Sequence, residues 1–391
     1  MVADVKGKGR EVAHGTSRIE RAARHGAGDE VRRLLRVGRT GLPLAVDAGS
    51  GEFVRTVRRA DGAGGLTRQE GVSLRYTAIA ALGLSRLPTA EQRAVLGGRT
   101  ASELARAAGS RSLDQQDPGA VALATWAAAE LSGAAPPELL ARLGRDLSSG
   151  RPIPTVDLAW IVTAALAAGP AGEALAASAG PRLLDGQGDH GIFPHVLPAR
   201  SQNRWRRHVG SFADQVYPLQ ALARMFQVTG DRSQLDAAEA VADRICELQG
   251  PDGQWWWHYD VRTGDVVERF PVYSVHQHAM APMTLFDLAE AGGRDRTAEV
   301  VRGLRWIRSH PEVDGDLVHD SLGVIWRKAG RREPRKAVRR LSAVTTSLRP
   351  GLRLAQLDRV FPANRVDHEC RPYELGWLLY AWLPRREGAP S

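Results

Sequence analysis

Side chains that can hold or move a proton recur at one kind of place in this sequence, the first turn of a predicted apolar helix or the loop that leads to it. Two carboxyls that face each other across a cavity can act as general acid and general base on a glycosidic bond. A Tyr or His pair can instead move a proton at a carbon beside a carboxylate. The candidate proton-moving residues are Asp214, Glu374, Asp189, His276, Tyr373 and His258.

Other side chains at these places could bind a substrate rather than react with it. Aromatic rings stack on the apolar face of a sugar, while amide and guanidinium groups bond to its rim and to any anionic substituent. The densest aromatic run of the chain covers residues 255–260. The candidate binding residues are Trp255, Trp256, Trp257, Tyr217, Gln277, Arg371, Arg75 and Tyr76.

Plainer structural roles stay open for several polar groups. Asp117, Asp157 and Asp214 can serve as helix N-caps and do nothing else. The three consecutive tryptophans can form a hydrophobic seal between helices. His276 and His278 cannot share one face of a regular helix, so at most one of them needs to point into a cavity.

A duplicated segment identifies the elements that must position these groups. A gapless shift of 62 residues aligns Gln215 with Gln277, Gly230 with Gly292 and Asp252 with Asp314. Each copy contains a polar start, an apolar helix, a Gly stop, a second amphipathic helix and an Asp-Gly turn, which is the pattern of a helical hairpin.

Similar apolar helices elsewhere raise the number of hairpins to about six. They begin near residues 71–76, 117–118, 154–157 and 370–374. Amphipathic segments precede the apolar ones, over residues 19–35, 90–108, 137–147, 172–184, 234–248 and 297–307. A helix that is apolar all round must be surrounded by protein, whereas its amphipathic partner covers it. The alternation predicts an all-α fold, a closed (α/α)6 toroid.

Length and composition favour one domain. The chain has 391 residues, of which 43% are hydrophobic, and no Ser/Pro-rich linker divides it. We predict a toroid domain over residues 16–384, a disordered tail over 1–15 and a C-terminal tail over 385–391. The hairpin rhythm is interrupted over about 315–364. We therefore predict an insertion there that borders one mouth of the ring.

The sequence also predicts a compartment. Cys246 and Cys370 are too few for a disulfide framework. The N-terminus lacks the apolar core of a signal peptide, and no stretch approaches the apolar length of a membrane span. We predict a cytoplasmic protein without a transmembrane segment.

The net charge of +9 is carried mainly by Arg in a chain also rich in Asp and Glu, which is weak support for a nucleic-acid partner. We predict none. One basic cluster recurs at helical spacing, and it is either a solvated helix face or a surface for an anionic substrate or a membrane. Its members are Arg331, Arg332, Arg335, Lys336, Arg339 and Arg340.

Residues 248–255, Leu-Gln-Gly-Pro-Asp-Gly-Gln-Trp, resemble the Gln-Asp-Gly-Trp motif in the repeats of terpenoid cyclases and protein prenyltransferases, which are α/α toroids. Residues 184–193 are a weaker echo. The resemblance implies that Gln249 caps the following helix and that Trp255 packs against the outer layer. The predicted architecture is also similar to that of six-hairpin glycosidases and sugar epimerases, which use Asp-Gly turns before inner helices.

The reaction motifs of the first two families are absent from the sequence. It contains no Asp-x-Asp-Asp acid of a class II cyclase and no Asp-rich run that would hold magnesium against a diphosphate. Residues 367–370 contain zinc-binding residue types, but their spacing departs from the prenyltransferase pattern and a second Cys is missing. We predict no metal and no cofactor.

Three classes of function therefore stay open. The first is an enzyme that acts on a carbohydrate or glycoconjugate, as a glycosidase, lyase or epimerase. The second is an isoprenoid cyclase or transferase without the usual Asp-rich motifs, and the third is a noncatalytic toroid that binds a glycan or a lipid. A small-molecule or glycan substrate with an anionic group is the predicted partner.

Overall fold

The computed structural model describes residues 16–60, 65–68, 71–354 and 356–386, so the predicted tail over 1–15 and residues 387–391 lie outside the described residues. The described chain forms sixteen α-helices. They are α1 Arg18–Arg24, α2 Gly28–Gly41, α3 Leu74–Leu84, α4 Thr89–Val95, α5 Ala101–Ser112, α6 Pro118–Ser132, α7 Pro137–Ser148, α8 Thr155–Ala167, α9 Glu173–Leu184, α10 Ala213–Thr229, α11 Arg232–Glu247, α12 Ala281–Glu290, α13 Thr297–Ser309, α14 Ala337–Leu348, α15 Gln356–Val360 and α16 Pro372–Trp382.

Six helices form a closed inner ring. Each of α3, α6, α8, α10 and α12 contacts the next, α16 contacts α12 and the π-helical turn His276–Met280 before it, and α16 also contacts α3. The inner helices are buried on nearly every side, as in Ala120 to Ala129 of α6. Helices α2, α5, α7, α9, α11 and α13 pack outside them. The predicted (α/α)6 toroid is therefore confirmed, because apolar inner helices alternate with amphipathic outer ones.

Two predicted outer segments are each broken into two helices. Residues 19–35 divide into α1 and α2 at Gly26, whose φ is +77°. Residues 90–108 divide into α4 and α5 at Gly97 and Gly98, with φ of +61° and +97°. A left-handed backbone at glycine ends a helix. The sequence did not predict the breaks because the hydrophobic periodicity continues across both of them.

Thirteen short strands, none longer than three residues, lie mostly in the loops before the inner helices. They are β1 Val57–Arg59, β2 Leu66–Arg68, β3 Ile153–Pro154, β4 Val196–Leu197, β5 Val209–Ser211, β6 His258–Asp260, β7 Val266–Glu268, β8 Val272–Tyr273, β9 Val318–His319, β10 Val324–Ile325, β11 Lys328–Gly330, β12 Arg365–Asp367 and β13 Glu369–Cys370. The sheet orders are β13-β1-β2, β10-β9, β12-β11-β8, β3-β4 and β5-β6-β7, and every pairing is antiparallel. Strands this short carry no alternating pattern, so the sequence did not predict them.

Strands that are distant in the chain join the loops at one end of the ring. Val57 pairs with Cys370 just before α16, and Lys328 pairs with both Tyr273 and Asp367. These pairings fix the residues before three inner helices relative to one another. We call this end, where the inner helices begin, the N-terminal mouth.

Candidate functional site

Two carboxyls share one guanidinium at the N-terminal mouth. Arg75, in the first turn of α3, donates from Nε to Asp117 Oδ2 at 2.7 Å and from Nη1 to Asp157 Oδ1 at 2.9 Å. Its Nη2 contacts both carboxyls. Asp117 is the N-cap of α6 and Asp157 lies in the first turn of α8. Three neighbouring inner helices therefore bring these residues together.

The close approach of Arg75 and Asp157 depends on Gly119 in α6. A Cβ at this position would lie 2.1 Å from Asp157 Oδ1 and 2.5 Å from Arg75 Nη2. Any larger residue would have to push the ion pair apart, so glycine makes the carboxyl pair possible.

The two carboxyls have opposite tendencies to ionise. Burial raises the pKa of Asp157, and the charge and hydrogen bonds of Arg75 only partly offset that effect. Asp117 is less buried, and Arg75 together with the helix N-terminus lowers its pKa despite the burial. Two neighbouring carboxyls whose environments push their pKa values apart are suited to act as an acid and a base.

A His–Asp pair lies beside these carboxyls. His195 Nδ1 is 3.0 Å from Asp214 Oδ2, and the same oxygen accepts hydrogen bonds from the Ser211 backbone and hydroxyl, both at 2.7 Å. The hydrogen bond and charge of Asp214 raise the pKa of His195. The Asp214 side chain is fully buried, whereas the His195 side chain is half-exposed. His195 is therefore the member of the pair that a ligand can reach.

A second buried acid, Glu374, lies at the start of α16. Its side chain is fully buried and neither carboxyl oxygen has a hydrogen-bond partner within the described residues. Arg327 Nε lies 3.7 Å from Oε1, but burial outweighs this attraction and raises the pKa to about 8. Glu374 is therefore protonated at neutral pH and can donate a proton.

Tyr76 and Tyr373 form one aromatic side of the mouth. Their ring centroids are 4.7 Å apart, and the Tyr76 hydroxyl accepts a hydrogen bond of 3.0 Å from Arg371. Arg371 also bonds to Glu369 at 3.2 Å. The Tyr373 residue as a whole is half-buried, and burial raises the pKa of its hydroxyl. These rings and the guanidinium are placed where sequence analysis expected binding groups.

Trp257 forms a second aromatic side of the same mouth. It lies in the loop before α12, distant in the chain from Tyr76 and Tyr373. Its ring centroid lies 4.8 Å from those of His258 and Tyr273, and it stacks with His276 at 6.0 Å. Burial lowers the pKa of His276 to about 3 and that of His258 well below its usual value. Both imidazoles are therefore neutral, and neither can act as a cationic acid near neutral pH.

An aromatic plug closes the axis of the ring below the mouth. Trp160 packs on Tyr217 at 5.0 Å, Tyr217 on Trp377 at 6.2 Å, and Trp377 on Trp126 at 5.5 Å and on Tyr380 at 5.6 Å. All five rings are buried. The guanidinium of Arg75 lies 5.1 Å from the Trp160 ring, so the carboxyl pair stands directly on this plug.

Several other predicted site residues have structural positions. Trp255 is fully buried, and a Cβ on Gly303 of α13 would lie 2.7 Å from its Nε1, which is the outer-layer packing that the motif implied. Trp256 packs on Phe270. Gln277 is buried and bonds to the Trp255 and Tyr273 backbones at 3.3 and 3.2 Å.

The expectation that Gln249 caps the following inner helix was wrong. Its amide nitrogen donates to the carbonyls of Gly253 at 3.0 Å and Glu299 at 2.9 Å, so it ties the Asp-Gly turn to an outer helix. Gln187 makes the equivalent bonds to Gly191 and Ala237. The same hydrogen bonds therefore recur after a shift of 62 residues, so the duplication extends to them. The motif stabilises the fold.

Asp189 lies apart from the mouth. It is exposed in the turn before Gly191, and a Cβ on Gly191 would meet the Ala240 backbone of the outer helix α11 at 2.7 Å. The structure brings no other predicted proton-moving residue to this turn. We therefore assign Asp189 no part in the site.

The predicted basic cluster does not form one surface. The Arg331 side chain is 4% exposed and pairs with Glu268 and Asp358. Arg332, Lys336 and Arg340 are exposed, while Arg339 turns inward over the Trp257 ring at 5.6 Å. The side chain of Arg335 lies outside the described part of the chain.

A cavity of about 650 Å³ lies at the opposite end, where the inner helices finish. Several of its charged lining residues pair with one another, as in Arg86 with Glu130 and Arg224 with Asp287. The Glu130 and Asp287 oxygens are all bonded to Arg, Tyr, Trp or Gln donors. These carboxyls offer no free acid or base, so this cavity is not where we place the chemistry.

The described residues contain no group of three or more His, Cys, Asp or Glu side chains arranged to hold a metal ion. Within residues 367–370, Asp367 pairs with Lys328 at 2.8 Å, and burial raises the pKa of the Cys370 thiol to about 12. In the ranges that the structure covers, no helix is both long and apolar enough for a membrane span.

Sequence reasoning did not select the residues that make the carboxyl pair. Asp117 and Asp157 were predicted at the starts of inner helices and were interpreted as possible helix caps. His195 was not singled out in the sequence analysis. Arg75 could have indicated the pair. A partly buried guanidinium at the start of one inner helix is stabilised by carboxylates at the starts of the neighbouring inner helices.

No protein-family model matches the chain, and no curated protein sequence matches it. Solved structures do. An unsaturated glucuronyl hydrolase specific for heparin has a TM-score of 0.57 at 12% identity, covering 90% of this chain and 96% of that chain. A sugar epimerase from a ruminal bacterium has a TM-score of 0.56 at 11% identity, covering 90% and 97%.

An unsaturated glucuronyl hydrolase from Streptococcus agalactiae has a TM-score of 0.55 at 9% identity and covers 91% of each chain. Identities this low show the fold alone. They show that the chain has an α/α-toroid fold like that of the two hydrolases and the epimerase, and they give no support to the terpenoid cyclase side of the resemblance.

Proposed function

We propose that this chain is an enzyme that cleaves a glycosidic bond of a saccharide bound at the N-terminal mouth. The observation that supports the proposal is the pair Asp117 and Asp157, held by one guanidinium with pKa values that move in opposite directions. Facing carboxyls of unequal acidity are what acid–base cleavage of a glycoside requires.

In this mechanism Asp157 is the acid. Burial raises its pKa, so it is the member of the pair better suited to give a proton to the oxygen of the leaving sugar as the glycosidic bond breaks. Asp117 is the carboxylate that assists on the other side, either by taking a proton from the attacking water or by attacking the sugar carbon itself. Arg75 fixes both carboxyls and prevents their mutual repulsion.

The aromatic groups at the mouth fit a sugar. Tyr76 and Tyr373 form one side, Trp257 the other, and Trp160 the floor. Rings take the apolar face of a pyranose, and the surrounding hydroxyl and guanidinium groups bond to its rim. An isoprenoid substrate would need an apolar lining instead, and the Gln-Asp-Gly-Trp motif is occupied by structural contacts.

The His195–Asp214 pair favours a second candidate, a sugar epimerase or isomerase. A half-exposed imidazole with a raised pKa and a buried carboxylate behind it is suited to move a proton at a carbon beside a carbonyl. In that case His195 is the catalytic group and the carboxyl pair only organises the mouth.

The decisive experiment is a comparison of Asp157→Asn and His195→Gln on a panel of aryl glycosides, aryl uronides and reducing sugars. The hydrolase proposal expects Asp157→Asn to reduce kcat about 10²- to 10⁴-fold with KM nearly unchanged. Asp146→Asn serves as a matched control, because Asp146 pairs only with Arg142 on the outer helix α7.

Retention of hydrolysis by Asp157→Asn would overturn the assignment. Exchange of a carbon-bound hydrogen with deuterium from the solvent, abolished by His195→Gln and unaffected by Asp157→Asn, would establish the epimerase alternative. A wild-type chain that binds these sugars and turns none over would support the noncatalytic class.

A further inference from the structure

Helix α14 of the predicted insertion is fixed over the N-terminal mouth by the turn before β5. Ala343 of α14 packs in one buried cluster with Val209 of β5 and Val267 of β7. His208 Nε2 lies 2.9 Å from the Thr346 hydroxyl. The backbone amide of His195 donates to the Val209 carbonyl at 3.2 Å, so the same strand holds the candidate site.

Two guanidinium groups face the mouth across this junction. Arg339 lies one helical turn before Ala343, on the same face of α14, with its guanidinium 5.6 Å from the Trp257 ring. Arg206 lies in the docked turn, and its carbonyl accepts from the Val209 amide at 2.9 Å. The positive charges of both oppose protonation of His195 and of His258, so both guanidinium groups lie within electrostatic reach of the same two imidazoles.

Neither Arg206 nor Arg339 forms an ion pair with any described residue, although both are more than half buried. Other arginines around the same insertion do have partners. Arg331 pairs with Glu268, and Arg262 pairs with Asp260 and donates to the Thr346 carbonyl. Arg353 forms no ion pair either, but it donates to the Val266 carbonyl at 3.0 Å, whereas the side chains of Arg206 and Arg339 have neither an ion pair nor a hydrogen bond within the described residues.

Burial lowers the pKa of both guanidinium groups, and the charge of Arg339 adds to the effect at Arg206. The negative charges of Asp214 at Arg206 and of Glu333 at Arg339 offset this effect only in part, so two partly buried cations without an ion pair destabilise the site. An anion with two or three oxygens between them would remove this repulsion and accept charge-assisted hydrogen bonds.

We propose that Arg206 and Arg339 bind an anionic substituent, a carboxylate or a sulfate ester, of the saccharide whose ring lies against Trp257. The inference rests on the proposed function only for the sugar itself; the anion site stands on its own geometry. It assigns a role to the insertion, which is to select charged saccharides over neutral ones.

The exposed cations next to Arg339 in the chain do not share this position. Lys336 and Arg340 are exposed, and they could attract a membrane surface rather than a sugar. Arg339 cannot do so while it lies over Trp257. Variants of two adjacent residues, Arg339 and Arg340, can therefore distinguish binding of a sugar substituent from binding to a membrane surface.

Isothermal titration of the intact protein with two matched pairs of sugars tests the proposal. The pairs are glucuronic acid against glucose, and N-acetylglucosamine 6-sulfate against N-acetylglucosamine. At least one charged member should bind more tightly than its neutral partner, and Arg339→Gln and Arg206→Gln should each weaken that binding about 10- to 100-fold. The preferred pair identifies the substituent as carboxylate or sulfate.

Arg340→Gln is the matched control and should leave the affinity unchanged, as should the neutral sugars in every variant. Equal weakening by Arg340→Gln, the absence of any preference for charged sugars, or protein binding to anionic phospholipid vesicles in their place would overturn the proposal. Thermal melting of each variant identifies a loss of folding, and Arg339→Lys, which keeps the charge, should then retain part of the preference.

Failure of the anion site and failure of the proposed function give different results. Hydrolysis that survives Asp157→Asn, combined with a selective loss of affinity in Arg339→Gln, contradicts only the catalytic assignment. The reverse pattern contradicts only the anion site.

Discussion

The Nδ1 atom of His195 lies 3.0 Å from Oδ2 of Asp214, and 48% of the histidine side chain is exposed while none of the aspartate is. A buried carboxylate in this position acts through the imidazole. It fixes the ring, and it favours the protonated form. Asp214, which sequence analysis proposed as an acid or base, is thus better placed to position His195 than to touch a substrate.

The first prediction concerns this pair. Asp214→Asn should lower the pKa of His195, because the hydrogen bond and charge of Asp214 raise it whereas burial lowers it. Proton NMR titration of the imidazole measures the change, and any limb of the pH–rate profile that follows His195 should move to lower pH. Asp189→Asn, an exposed change in the turn beside α11, should leave the titration unchanged. An unaltered titration in Asp214→Asn would contradict the pairing.

The second prediction concerns Gly119. Gly119→Ala should lower the free energy of unfolding by about 1–3 kcal/mol, because the new Cβ would displace the Arg75–Asp157 ion pair. Gly144→Ala on α7 is the control, since a Cβ there meets no atom within 4 Å and should stabilise the helix by up to about 1 kcal/mol. Urea unfolding of both variants checks the prediction, and equal stabilisation by both would contradict it.

The third prediction concerns Glu374 and pH. The folded chain holds this carboxyl protonated up to its pKa of about 8, whereas an unfolded chain loses the proton near 4.5. The free energy of unfolding should therefore fall as pH rises between these values, by at most about 1.4 kcal/mol per pH unit. Glu374→Gln should remove this part of the pH dependence. Urea unfolding at pH 5 and pH 7.5 measures it, and identical slopes for both proteins would exclude the buried acid.

The fourth prediction concerns the duplicated glutamines. Gln215 bonds to the amide and carbonyl of Phe193 at 2.8 and 3.0 Å and to the Ser211 carbonyl at 2.9 Å. Gln277 makes two longer bonds. Gln215→Leu should cost about 1–3 kcal/mol for each buried backbone group left unpaired, and more in total than Gln277→Leu. Thermal melting measures the difference, with the exposed Gln227→Leu as control. A smaller loss in Gln215→Leu than in Gln277→Leu would contradict the reading.

The ring could be predicted from the sequence because its signal is periodic and repeated. The 62-residue shift and the apolar helices that follow Ser73, Asp117 and Pro372 determine which helices face inward. The breaks at Gly26 and Gly97 were not predictable in the same way, because the apolar periodicity runs across them and only the backbone conformation interrupts the helix.

The site was predictable in location but not in detail. The starts of inner helices did bring Arg75, Tyr76 and Glu374 to one mouth. Burial and hydrogen-bond partners decide whether a carboxyl there is an acid, a cap or a support for another group. Those partners are distant in the sequence: Arg75 is 42 residues from Asp117 and 82 from Asp157. The sequence could not show that Asp157 is buried on an aromatic floor while Asp189 is exposed outside the ring.

The plug of five rings turns the barrel into a cup. If the proposed function holds, a saccharide that reaches Asp117 and Asp157 can advance no further than Trp160 and Tyr217. It would then enter and leave through the same opening, which favours action on chain ends or short fragments over sliding along a long polymer.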